Sequence, residues 1–144
     1  MKKISLLTKG TIVALLLALV LSSFPTTDVF AKGDRQNLEK KWDQLVTNYN
    51  RQSTVHNSMH KWVDHWLKAE KKASLADKVE VRKHLSICNS AISAAGSVVA
   101  IHAGFDASGE VIDAGLARNS IKDLANYLRQ HAGSIKNLKE HIGD

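Results

Sequence analysis

Residues 74–104 read SLADKVEVRKHLSICNSAISAAGSVVAIHAG, and this stretch decides the fold. Val81, Leu85, Cys88, Ile92, Ala95 and Val99 recur at alternating spacings of four and three. That period marks one helical face turned towards a core; a strand, whose side chains alternate every second residue, does not produce it. Ser74 followed by Asp77 resembles a capping box that starts the helix, although Glu or Gln is the usual third-position partner. Gly104 is a natural stop, and Phe105, Asp106, Ala107, Ser108 and Gly109 supply the chemistry of a turn.

The segments on either side follow the same period. From about Ser108 to Ile142, Ala114, Ala117, Ile121, Leu124, Leu128, His131, Ile135, Leu138 and Ile142 hold a heptad-like stripe that only His131 interrupts. Gly133 lowers helicity locally, but the pattern continues past it. From about Asp34 to Lys72, Leu38, Trp42, Leu45 and Tyr49 begin a stripe that Val55, Met59, Trp62, Val63, Trp66 and Leu67 resume. The polar stretch 50–54 lies between, and Asn50, Ser53 or Thr54 is a candidate cap, so a break into two helices is slightly favoured there. All three tryptophans fall in this segment, the expected aromatic half of the core. Residues 32–144 contain no proline, and short links between long amphipathic helices require antiparallel neighbours. The expected fold is all-α: an elongated antiparallel up-down bundle of three long helices, or four if the first divides.

The N-terminus has the grammar of an export signal. Lys2, Lys3 and Lys9 make a positive region, residues 11–21 an apolar run, and Val29-Phe30-Ala31 a small-residue cleavage site. Pro25 and the polar residues around it argue against an uncleaved anchor. Residues 1–31 are therefore expected to be a cleaved Sec-type signal peptide of bacterial appearance. Residues 32–144 are then a secreted single domain with 17 Lys and Arg against 13 Asp and Glu. Cys88 is the only cysteine, so no intramolecular disulfide can form. It reads either as a small buried hydrophobe or as the link of a disulfide-bonded homodimer.

Charge then singles out a region. Residues 85–105 carry no Asp, Glu, Lys or Arg, and as a helix they would cover about 31 Å, close to the hydrocarbon thickness of a bilayer. Ser86, Ser90, Ser93 and Ser97 form one narrow stripe. Gly96, Ala100 and Gly104 form a small-residue row that lets another backbone approach, with Ala114, Gly115 and Ala117 a matching surface across the turn. Leu at position 96 or 100 is accordingly expected to spoil the hairpin. Phe105 and the acidic residues Asp106, Glu110 and Asp113 mark the tip; protonation of these acids would lower the cost of carrying them into lipid. The hairpin 85–117 is thus either the buried centre of a water-soluble bundle or a segment that leaves it for a membrane, as hairpins of helical toxins do by fold-level analogy.

Seven histidines remain. His56 and His60 lie one helical turn apart with Asp64 a turn further on, a spacing that suits metal chelation or sensing of pH near 6. No phosphate loop, nucleophile elbow or acid/base pair occurs, so neither an enzyme nor a cofactor is expected, and no nucleic-acid motif is present. The expected function is that of a secreted, non-enzymatic binding protein, toxin-like or antimicrobial, acting on an anionic membrane or cell-surface polymer. The alternative is a soluble protein-binding module, an adhesin or an inhibitor. A metal-binding exported protein is the third.

Overall fold

A computed structural model describes residues 35–69 and 71–142; the expected signal peptide and its cleavage site lie outside the described residues. Three helices pack against one another, α1 (Arg35–Ala69), α2 (Leu75–Ile101) and α3 (Ala114–Ile142). Among the described residues there is no strand, only one antiparallel bridge between Phe105 and Val111 in the α2–α3 turn. Residues 38–49 share one core cluster with the end of α2 and the start of α3. Residues 59–63 share another with Val81, Cys88, Ile135 and Leu138. The chain therefore runs up, down and up, and the expected all-α antiparallel bundle of three long helices is what forms.

The expected break at 50–54 does not occur: α1 is one unbroken helix of 35 residues. The physical reason is phase. Leu38, Trp42, Leu45, Tyr49, Gln52, His56, Met59, Val63 and Trp66 keep alternating spacings of four and three, so the seam passes through the polar stretch on Gln52 and His56. The candidate caps serve the helix interior instead. Thr54 Oγ1 donates to the carbonyl of Asn50 at 3.2 Å, and Ser58 Oγ to that of Thr54 at 3.3 Å.

α2 begins as the capping motif requires. Ser74 adopts extended backbone, its hydroxyl accepts from the Asp77 N–H at 3.1 Å, and it donates to Asp77 Oδ2 at 2.6 Å. The helix stops at Ile101, three residues before Gly104. His102 takes the left-handed conformation, φ 39°, and its N–H closes on the Val98 carbonyl. α3 begins at Ala114, six residues later than the periodicity suggested, because residues 105–113 fold into a closed turn. Asp113 caps the helix, its Oδ1 accepting from the Leu116 N–H at 2.8 Å.

The helices contribute unequally to the core. α3 buries Ile121, Leu124, Leu128, Ile135 and Leu138, whereas the fully buried set of α2 is Val81, Cys88, Ala91 and Ala95. Each fully buried Leu or Ile contributes roughly 1.5–3 kcal/mol, and Ala far less. α2 therefore buries the smallest side chains of the three, and its most extensive packing is against α3.

Candidate functional site

The α2–α3 hairpin presents a surface of unusual composition. Ser86, Asn89, Ser90, Ser93, Ser97, Ala100 and Ile101 are exposed along α2, with no charged side chain among them. Ser97 Oγ donates to the Ser93 carbonyl at 3.2 Å, one helical turn back, which satisfies that hydroxyl without water. At the tip three large apolar side chains face outwards: Ile101 is 69% exposed, Ile112 68% and Leu116 49%. α2 is long and apolar enough to cross a membrane, the one such helix among the described residues, and 17% of its most apolar window is buried in the bundle.

The small-residue row does not form a single packing face. A Cβ on Gly96 would lie 2.8 Å from the Tyr49 hydroxyl, so Gly96 packs towards α1. Ala100 is exposed, so Leu there would project into solvent, contrary to the expectation that it disrupts the hairpin. Gly104 alone makes the close backbone approach. Its φ is +89°, and a Cβ would fall 2.1 Å from the Ala117 nitrogen.

Phe105 is not at the exposed tip either. It is 2% exposed and stacks on Trp42 of α1, centroids 4.5 Å apart and planes at 16°, pinning the turn to the first helix. Glu39 of α1 adds a second tie by accepting the Val111 N–H at 2.9 Å. Two of the three tip acids are structural. Asp106 Oδ1 accepts from the Ser108 N–H at 2.8 Å, the Ser108 hydroxyl at 2.7 Å and the Glu110 N–H at 3.0 Å. The Ser108 hydroxyl foremost, with the turn's N–H groups, holds its carboxyl below the usual range, so it stays charged in mild acid. Asp113 is the cap of α3, and Glu110 is exposed. Beside the turn, Glu39, Lys40, Trp42, Asp43, His102 and Glu110 line part of a cleft of about 540 Å³.

Halfway along the bundle a polar layer separates the two core clusters. His131, 0% exposed, meets the carboxamide of Gln52, also 0% exposed, through Nδ1 and Oε1 at 2.7 Å. Its Nε2 lies 3.1 Å from His56 Nδ1. Since Gln52 Oε1 accepts, His131 carries its proton on Nδ1, and its Nε2 accepts from the Nδ1–H of His56. A second proton on His131 would set two N–H groups against each other. Burial first, and His56 second, lower its pKa from 6.5 to about 3. Burial lowers that of His56 as well, helped by His60 and opposed by a hydrogen bond with Asn89 of α2. Gln52 Nε2 and Ser53 Oγ are enclosed without a protein partner. Cys88 sits beside this layer, 1% exposed and in hydrogen-bond contact with Ser134, so a disulfide to another chain would require the helices to part.

The suggested His56–His60–Asp64 set is divided. His60 Nδ1 faces Asp64 Oδ2 at 3.3 Å on the surface, while His56 turns inwards to His131. Sequence reading noted His131 only as an interruption of the apolar stripe. The signal for its role was that Gln52, His56 and His131 all occupy seam positions near the midpoints of their helices. The exposed Ile112 and Leu116 carried no such signal. Comparison of the chain with family models, with curated proteins and with solved structures finds no match.

Proposed function

We propose that this is a secreted, non-enzymatic protein that binds anionic membranes through the α2–α3 hairpin, with Ile101, Ile112 and Leu116 making first contact. One observation carries the proposal: the helix with the length and composition of a membrane span has only 17% of its most apolar window fully buried in the bundle. A comparable helix in a water-soluble core would be largely buried. The basic excess of residues 32–144, 17 Lys and Arg against 13 Asp and Glu, favours an anionic surface.

The acid-sensitive element in this proposal is the polar layer, not the tip. Asp106 resists protonation, whereas His131 and His56 are held neutral at positions where charging them strains the seam between α1 and α3. Acidification weakens that seam, and the α2–α3 hairpin, whose two helices pack most extensively on each other, parts from α1. Vesicle flotation and dye release by the purified protein at pH 7.4 and pH 5, with anionic and with neutral lipid, test the proposal. It expects binding to anionic vesicles that grows in acid and is lost in Ile112→Asp combined with Leu116→Asp. Both side chains are exposed, so the pair leaves the fold intact. Absence of binding in every condition would move the function to a protein partner, for which the charged cleft beside the turn is the available surface.

A further inference from the structure

The end of the hairpin opposite the turn carries three ligand-type side chains that membrane binding does not use. Glu80 and His84 lie one turn apart on α2, and the antiparallel pairing brings His141, in the last turn of α3, against them. His84 Nε2 is 3.7 Å from Glu80 Oε2. The two imidazoles stack with centroids 5.5 Å apart and planes at 28°. One donor atom from each residue falls within 4.8 Å of the other two, and no other set of three such groups does so among the described residues.

We propose that Glu80, His84 and His141 bind a divalent transition-metal ion, zinc in the first instance, and that the ion staples the start of α2 to the end of α3. Two imidazole nitrogens and one carboxylate oxygen are the borderline donor set that zinc takes, with a fourth position left to water. Zinc–ligand bonds of about 2.0–2.2 Å put the donors of a tetrahedral site roughly 3.4 Å apart. Closing from 4.8 Å needs only side-chain rotation, because Glu80 and His141 are at or near the surface.

One further feature favours a cation: the site lies at the C-terminal end of α3, where unpaired carbonyls concentrate negative potential. Lys83 competes for Glu80 at 3.4 Å, but that pair is exposed and its ammonium is free to swing into water. Because the ligands come from two helices, an ion bound here favours the folded chain over the unfolded one.

The inference stands apart from membrane binding and is tested without lipid. Tag-free protein is titrated with zinc chloride at pH 7.4 by calorimetry and equilibrium dialysis, beside His141→Ala, Glu80→Gln and, as a control at the other histidine pair, His60→Ala. Circular dichroism confirms that each variant is helical. The expected result is one zinc per chain, an affinity reduced by roughly tenfold or more in His141→Ala and in Glu80→Gln, and no change in His60→Ala. Zinc should also raise the thermal midpoint of the parent and not that of His141→Ala. Absence of saturable binding, or equal binding by the parent and both site variants, would overturn the assignment. So would loss of binding in His60→Ala with His141→Ala unaffected.

Discussion

Replacing both His131 and Gln52 by leucine should remove a defined share of the protein's sensitivity to acid. A histidine whose folded pKa lies below its unfolded value contributes stability that is complete above the unfolded value and is lost as pH falls towards the folded one. For His131 those limits are 6.5 and about 3. At pH 7.4 the group costs almost nothing, because it is neutral in both states. At pH 5 the unfolded chain is favoured by a factor of roughly 32, or about 2 kcal/mol at the usual RT. That is a substantial part of the roughly 5–15 kcal/mol that holds a domain of this size together. Leucine suits both positions, since Leu128 and Ile135 flank His131 on the same stripe and Leu45 and Met59 lie one heptad to either side of Gln52 on theirs. Changing both avoids leaving the Gln52 carboxamide buried with its partner gone, which would cost about 1–3 kcal/mol. Urea unfolding followed by tryptophan fluorescence at several pH values between 7.4 and 5 measures the effect. The parent should lose about 2 kcal/mol more than the double variant across that range. Equal losses would refute the assignment of acid sensitivity to this layer. His56 and the surface histidines would then have to supply it.

Other substitutions separate the parts of the hairpin. Gly104→Ala should destabilise strongly, beyond the roughly 1 kcal/mol of an ordinary glycine replacement, because the new Cβ would collide with the Ala117 backbone at a positive φ; thermal unfolding reads this directly. Phe105→Ala removes the ring stacked on Trp42 and should cost about 3–5 kcal/mol, together with a change in tryptophan emission. Asp113→Ala removes the cap of α3 and should cost about 1 kcal/mol in urea unfolding, with α3 otherwise intact. Ala100→Leu, on the exposed side of α2, should leave stability within about 0.5 kcal/mol of the parent and strengthen vesicle flotation.

The fold was legible because three apolar stripes keep helical phase and the Ser74–Asp77 cap is local. The stripe of α3 was read almost residue for residue, including Leu124, Leu128 and Leu138 at 0% exposure. The undivided α1 was missed for one reason: counting apolar residues hides a seam whose phase continues on Gln52 and His56. The site was less legible. Spacing put Gly96, Ala100 and Gly104 in one row, but a row along a helix does not say which neighbour it meets; in the bundle they face α1, solvent and the start of α3 respectively. Asp106 and Asp113 carried charge that looked available, whereas their hydrogen bonds commit them to the turn and the cap. His84 and His141 are 57 residues apart, and only the antiparallel pairing of α2 with α3 brings them together.

Whether α2 leaves water for lipid is tested most directly by a reporter on its exposed face. Ser97→Cys in a Cys88→Ala background, labelled with an environment-sensitive fluorophore, places the probe on the uncharged side of the helix. With anionic vesicles at pH 5 the emission should shift to the blue and become shielded from iodide, and at pH 7.4 it should do so far less. Emission that stays water-like and fully quenched while the protein floats with the vesicles would contradict the account, since the chain would then hold lipid without its hairpin.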